Sequence, residues 1–550
     1  MKITIAQLNY HVGNFEKNLE KIISAVQQAK KENSDIILFS ELSICGYPPR
    51  DFLEFSDFHT RCKNTIDSIK LYSNDIAIIL GAPSLNPTIE GKDLFNSAYF
   101  LYDQKILNIF HKTLLPTYDI FDESRYFESN KTFECIEFKG KKLAITICED
   151  LWNVGNENPM YEISPMEELI RQNPDVILNL SASPFSYNHF ESRQNMLEAN
   201  IAKYKIPIFY CNAVGAQTEL IFDGGSMVYD GSGKKIDRLD LFKEDIKTYE
   251  WRDEKIQVLG SKISNNKNFE DKFERIHEAL LLGIKDYFSK LGFKKAVLGL
   301  SGGIDSALTC VLAAQALGPE NVLAVLLPSQ YSSDHSISDA QKLVQNLGCE
   351  HEIIPIKPGY EVLETLLKPL FKELPSNITE ENLQARIRGV LLMALSNKFG
   401  NILLNTSNKS EVAVGYGTLY GDMCGGISVL GDLYKTEVYE LANYINKEKI
   451  IIPLNSISKA PSAELRPGQK DQDTLPPYEI LDIILYQYIE CKKGPDEIIA
   501  MGYEKELVQR ILKMVNTNEF KRAQTPPILR VSNKAFGMGR RMPIVGKYLG

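Results

Sequence analysis

Ser301-Gly302-Gly303-Ile304-Asp305-Ser306 follows an apolar run from Ala296 to Leu300 and precedes a helix-prone stretch from Ala307 to Leu317. The order is strand, small-residue loop, helix. Glycines without a Cβ let the backbone close on a ligand, and hydroxyls with free N–H groups at a helix start suit a phosphate. Asp305 would repel a bare phosphate, which makes sense if a Mg²⁺ bridges the carboxylate and the phosphate oxygens. The loop lacks the Gly-Lys-Ser/Thr ending of a Walker motif. Downstream, strand patterns at Val322 to Leu327, Glu352 to Ile356 and Ile402 to Asn405 alternate with helix patterns at Ser338 to Leu347 and Leu383 to Asn397. This half therefore reads as α/β, a doubly wound parallel sheet that binds ligands at the carboxyl ends of its strands, where Ser301 and Thr406 both lie. Glu411, in Asn405-Thr406-Ser407-Asn408-Lys409-Ser410-Glu411, could share a metal with Asp305. Lys435, entering a helix after an apolar turn, is a candidate phosphate contact. The glycines of Gly415 to Gly421 have the wrong spacing for a dinucleotide fingerprint, and the segment reads as a flexible loop over the site.

A chain of 550 residues exceeds what one core usually holds, so two large domains are expected, with the boundary in the loop-like Ser264-Asn265-Asn266-Lys267-Asn268, giving 1–263 and 264–550. A net charge of −9 argues against a broad nucleic-acid face. No apolar run of membrane-spanning length and no signal-peptide pattern occurs, so a cytoplasmic protein is expected. Nine cysteines without a Cys-x-x-Cys pair read as reduced thiols, one of them a possible nucleophile.

In the first half, Asn14 caps a helix pattern running to about Lys31, and strand patterns recur from Ile3 to Tyr229 with helices between only some of them. Three polar residues end strands there: Glu41, Lys112 and Cys148. A carboxylate can take a thiol's proton and an ammonium can stabilise the oxyanion formed when the thiolate attacks a carbonyl, so the trio supplies base, electrophilic support and nucleophile.

The segments Ser40-Glu41-Leu42-Ser43-Ile44-Cys45-Gly46-Tyr47-Pro48, His111-Lys112-Thr113-Leu114-Leu115-Pro116 and Cys148-Glu149-Asp150-Leu151-Trp152 resemble signatures of the nitrilase superfamily. The resemblance implies a four-layer α-β-β-α sandwich and amide hydrolysis through a thioester, with Cys148 as nucleophile, Glu41 as base and Lys112 as the stabilising cation. It also implies that Tyr47, Tyr118, Glu149 and Ser183 line a glutamine pocket. Six positions past Ser183, where such members often carry Lys or Arg, this chain has His189, with Arg193 further on; either could meet the glutamine carboxylate.

The Ser301 loop resembles the pyrophosphate loop of the N-type ATP pyrophosphatases. Together with Asn382-Leu383-Gln384-Ala385-Arg386-Ile387-Arg388-Gly389, the segments 406–411 and 425–436, and Pro461-Ser462-Ala463-Glu464-Leu465, it is similar to the NAD⁺ synthetases, and the whole chain to their glutamine-dependent members. The resemblance implies ATP binding by Ser301, Gly302, Gly303, Ile304, Asp305, Ser306, Ala307 and Leu308 with Thr406 and Lys435, and Mg²⁺ at Asp305 and Glu411. It implies deamido-NAD⁺ contacts at Asn382, Arg386, Glu411, Asp422 and Lys534, the last in a basic tail that closes over the site in this family. Some members carry Asp where this chain has Glu464. The implied reaction adenylates a nicotinate carboxylate and aminates it with ammonia from glutamine, passed through an internal tunnel, in a homo-oligomer. Related pyrophosphatases with other acceptors remain alternatives: asparagine synthetases need an N-terminal cysteine, GMP synthetases use another glutaminase, and tRNA-modifying enzymes want a basic face.

Overall fold

The computed structural model describes residues 1–155, 161–259, 269 and 271–548. The chain divides into two compact units, Met1–Asn268 and Phe269–Gly550. The boundary expected between 263 and 264 lies outside the described residues.

The first unit holds a seven-stranded and a six-stranded sheet. Strict alternation along the strands sorts its side chains into layers. Ile3, Ile5, Ile36, Leu38, Ala77 and Ile79 of the first sheet meet Leu143, Ile145, Ile147, Val176, Leu178 and Leu180 of the second in one core. The opposite faces turn outward to helices: Ile37, Phe39, Ile78 and Leu80 pack on Ile22, Ala25 and Val26 of the helix Phe15–Lys31 and on Ile66 and Ile69 of Ser56–Lys70. Ala144, Ile177 and Tyr210 pack on Met166 and Leu169 of Pro165–Ile170 and on Leu197 and Ile201 of His189–Tyr204. Helix, sheet, sheet, helix is the expected four-layer order. Asn14 caps the first helix, its side chain accepting the Lys17 N–H. At the centre of each sheet three strands run parallel: Lys2–Gln7, Ile36–Leu38 and Ala77–Leu85 in one, Lys141–Ile147, Val176–Ser181 and Ile208–Asn212 in the other. Their carboxyl ends carry Glu41, Cys148 and Ser183.

The second unit is built on a five-stranded parallel sheet ordered Glu350–Ile353, Val322–Leu326, Ala296–Gly299, Ile402–Asn405 and Ile427–Ser428. The chain reverses its winding between the third and fourth of these, and the crevice beyond that switch is where such sheets bind ligands. Ser301 and Thr406 follow those two strands. One sheet face, through Val297, Val325 and Leu403, packs on Tyr360 of the helix Lys357–Phe371 and on Ile387 and Leu392 of Ile378–Phe399. A helical layer including Tyr478–Ile489 and Lys505–Thr517 buries its own core through Leu481, Ile484, Leu485, Ile511 and Leu512. The edge strand Glu350–Ile353 starts two residues earlier than its Glu352 to Ile356 pattern suggests, and beyond it Ile354 and Ile356 still donate their N–H groups to the Leu326 and Pro328 carbonyls. Among the described residues no helix is long and apolar enough to cross a membrane.

Candidate active sites

Cys148 opens a single 3₁₀ turn, Cys148–Leu151, directly after its strand and has φ +43°. That left-handed conformation is strained for a residue with a Cβ, and such strain concentrates where a side chain must be aimed. Asp150 holds the turn: one carboxylate oxygen accepts the N–H groups of Thr113 and Leu114 at 3.0 and 2.9 Å, the other that of Ile147 at 3.1 Å. The nucleophile turn is thereby bonded to the segment that begins at Lys112.

Lys112 is fully buried. Its Nζ lies 2.8 Å from Glu41 Oε1 and 2.8 Å from both oxygens of Glu123. Tyr47 donates its hydroxyl to Glu123 Oε1 at 2.8 Å, and Asn96 donates to Glu41 Oε1 at 2.7 Å. A buried ammonium is stable only when paired. Here burial pulls Lys112 down, but Glu123 and Glu41 together outweigh it and hold the ammonium protonated. Burial raises Glu123 to about 7, with Lys112 opposing and Glu41 adding to the rise. Burial, then Glu41, push the Cys148 thiol well above its ordinary value, so the resting group is a thiol that needs a base. The three residues expected from the sequence are together, and Glu123, Asn96 and Asp150 complete them. Nothing in the sequence around Glu123 marks it, because the chain brings it to Lys112 only by folding back.

The glutamine-pocket candidates fall around this centre. Glu149 accepts the hydroxyls of Tyr118 and Tyr161, each at 2.9 Å. Ser183 Oγ lies 3.1 Å from His189 Nε2, and the imidazole stacks on Trp152 at 5.2 Å. Arg193 is completely buried and committed to Asp223 and the Gly224 carbonyl. Of the two cations considered, His189 is the one joined to Ser183.

In the second unit Gly302 has φ +82°, and a Cβ there would meet the Ser336 carbonyl oxygen at 2.1 Å, so only glycine fits. Gly303 precedes the helix Ile304–Leu317. Ser306 Oγ accepts the Ser301 N–H at 3.2 Å and lies 3.0 Å from Ser301 Oγ, closing the loop on itself. Asp305 accepts Asn408 Nδ2 at 2.9 Å and pairs with Lys435, whose Nζ also lies 3.8 Å from Glu411. Asn408 caps the helix Lys409–Val414, accepting the Glu411 N–H at 3.0 Å. Burial, then the Asp305 charge, raise Glu411 to about 8. Two carboxylates converging on one cation form an oxygen-only donor set that fits Mg²⁺. Among the described residues no group of three or more His, Cys, Asp or Glu forms a metal cage, so the remaining ligands would come from phosphate oxygens and water.

Three deamido-NAD⁺ candidates share one wall. Thr418 donates its hydroxyl to Asn382 at 2.7 Å and its N–H to Asp422 at 2.6 Å, and Arg386 donates to the Leu419 carbonyl at 3.2 Å. The segment expected to be a flexible loop is pinned here: a Cβ on Gly421 would meet the Ala385 backbone at 2.9 Å. Lys534 belongs to a different anchor. Its N–H donates to Ser532 Oγ, which is held by Lys409 at 2.8 Å and donates to Asp432 at 2.8 Å. Glu464 accepts the hydroxyls of Ser333 and Ser336, each at 2.8 Å, beside the Gly302 contact.

Residues 2–258 match the carbon-nitrogen hydrolase family and residues 276–525 the NAD synthase family. A glutamine-dependent NAD(+) synthetase of Synechocystis sp. is 45% identical over 98% of both chains, and one of Thermotoga maritima is 41% identical over 100% of this chain and 99% of its own. The solved structure of glutamine-dependent NAD⁺ synthetase from Acinetobacter baumannii, in complex with adenosine diphosphate, is 38% identical and covers 99% of this chain and 98% of its own, with a TM-score of 0.78. Since both halves and their order match end to end, the chain belongs to the glutamine-dependent NAD⁺ synthetase family.

Proposed function

We propose that this chain converts deamido-NAD⁺ to NAD⁺ in an ATP-dependent amidation that draws its nitrogen from glutamine. The observation that carries the reading is that one chain holds both a buried thiol centre with Glu41, Lys112 and Glu123 and a phosphate-type loop whose Asp305 converges with Glu411 and Lys435.

In the first unit Glu41 takes the thiol proton as Cys148 attacks the glutamine carboxamide, and Lys112 stabilises the oxyanion. The proton returns to the leaving nitrogen, ammonia departs, and water cleaves the thioester. Tyr47, through Glu123, keeps Lys112 oriented, while Tyr118, Glu149, Ser183 and His189 hold the amino-acid end.

In the second unit the deamido-NAD⁺ carboxylate attacks the α-phosphate of ATP. The Ser301 to Leu308 loop, Thr406 and Lys435 bind the departing pyrophosphate, and Asn382, Arg386, Glu411, Asp422 and Lys534 orient the acceptor. Asp305 and Glu411 would hold Mg²⁺, which when bound neutralises phosphate charge. Ammonia then displaces AMP. Free ammonia is largely protonated near neutral pH and so is not nucleophilic, which favours internal transfer between the two reactions.

A product assay tests the reaction class: with ammonium as donor, this reading requires AMP and pyrophosphate in equal amounts with NAD⁺, whereas ADP and phosphate would rule out adenylation. Assembly as a cytoplasmic homo-oligomer through the second unit is also part of the reading. It is supported by Val362, Leu366 and Leu370, spaced along one helix face and 59%, 66% and 73% exposed.

A further inference from the structure

We infer that Asn96 is a positioning residue of the amidase centre, holding Glu41 so that Oε2, and not Oε1, receives the thiol proton. The inference rests on the reading of Cys148 as nucleophile and Glu41 as its base.

Asn96 lies on the strand Leu94–Tyr102 and is fully buried. Its backbone carbonyl accepts the Lys112 N–H at 2.8 Å, fixing the start of the lysine segment. Its Nδ2 donates to Glu41 Oε1 at 2.7 Å and reaches Glu123 Oε2 at 3.5 Å, so the amide bridges the two carboxylates that hold Lys112. Lys112 Nζ takes the same Glu41 oxygen at 2.8 Å. Oε1 is thus engaged by an ammonium and an amide, whereas among the described residues Oε2 receives only the Ala182 N–H, at 3.1 Å. A proton arriving at Oε1 would displace a charge-assisted bond. Oε2 keeps a lone pair for it.

The residue type fits this task. An amide supplies a donor without adding a further carboxylate beside Glu41 and Glu123. Only one orientation works, since the rotated amide would set its carbonyl against the Glu41 carboxylate. The consequence is visible on the other side: Asn96 Oδ1 is buried without a hydrogen-bond partner among the described residues. Such an orphaned acceptor is uncommon and destabilising, and an apolar side chain would avoid it. The balanced step moves the Cys148 proton to Glu41 Oε2 as the sulfur–carbon bond forms, then from Oε2 to the nitrogen as the carbon–nitrogen bond breaks, giving thioester and ammonia.

The test compares the full natural chain with Asn96→Asp and Asn96→Ser, measuring kcat and KM for glutamine hydrolysis across pH, alongside the pH dependence of Cys148 alkylation by iodoacetamide. Asn96→Asp places a carboxylate of the same shape against Glu41. It should move the acid limb of both profiles up by about one pH unit and lower kcat about tenfold, with KM changed less than about threefold. Asn96→Ser, which leaves Oε1 with Lys112 alone, should lower kcat about tenfold at unchanged KM. Profiles and kcat that superpose on the natural chain overturn the inference, as does a loss confined to thermal stability and active fraction. Glutamine hydrolysis persisting in Cys148→Ala would instead overturn the underlying reading.

Discussion

At the scale of single residues, the amidase centre stores its electrostatics in Glu123. Burial lifts its carboxyl from an ordinary 4.5 to about 7, so the folded chain keeps a proton there that the unfolded chain releases. The resulting stability is fully present below about pH 4.5 and is lost as pH rises through about 7, an effect on the order of 3 kcal/mol. Both tryptophans, Trp152 and Trp251, lie in the first unit, so their fluorescence follows its unfolding alone. Urea titrations should show stability falling between pH 5 and pH 7.5, and Glu123→Gln should flatten that slope; an equal slope in the variant would place the proton elsewhere. Gly302 is the counterpart in the second unit, with no room for a Cβ against Ser336. Gly302→Ala should cut ammonium-driven synthesis about a hundredfold, the scale of a misplaced reacting group, while glutamine hydrolysis continues. Glu41, Lys112 and Cys148 were legible because each ends a strand inside a distinctive segment. Glu123 and Asn96 were not, because a lone Glu in a loop and an Asn in a strand acquire their meaning only from Lys112 and Glu41 across the fold.

At the scale of elements, the strand–loop–helix around Ser301 and the alternating strands of the first unit were legible because period-two burial and small-residue loops are local properties. Not every helix start was. Ile378–Phe399 begins five residues before its apolar pattern, at an Asn377 capping box whose first turn after Ile378 is polar, Thr379-Glu380-Glu381. The hairpin Val214–Gln217 with Leu220–Asp223, four residues a strand, is too short to announce itself. Lys409 shows how elements are tied together. Fully buried, it meets Asp432 and Glu490, each at 2.9 Å, and Ser532 at 2.8 Å, so one ammonium joins the Asn408–Glu411 segment, the turn before Lys435 and the segment before Lys534. Removing one partner leaves buried charge uncompensated, which costs about 3–5 kcal/mol. Lys409→Met should lower the calorimetric transition of the second unit accordingly, and adding Asp432→Asn with Glu490→Gln should restore most of it. A single variant as stable as the natural chain would mean that water already reaches the cluster.

At the scale of the whole molecule, a length of 550 residues led to the expectation of two large domains, and the chain divides into two compact units, each with apolar cores of its own. The exposed stripe of Val362, Leu366 and Leu370 is read as covered by another copy. Leu366→Glu with Leu370→Glu should therefore reduce the mass measured by light scattering, and an unchanged mass would put the assembly contact elsewhere. Internal transfer of ammonia predicts that an external ammonia-consuming enzyme leaves glutamine-driven NAD⁺ formation intact, and interception of the nitrogen would contradict it. On the proposed function, two chemistries reside on separate units of one chain and are joined by ammonia. The measurement that tests it most directly is NAD⁺ formation from deamido-NAD⁺, ATP and Mg²⁺ in the natural chain and in Cys148→Ala, with either glutamine or ammonium. The variant should lose the glutamine-driven reaction and keep the ammonium-driven one. Retention of the glutamine-driven reaction, or failure of the natural chain with both donors, would contradict it.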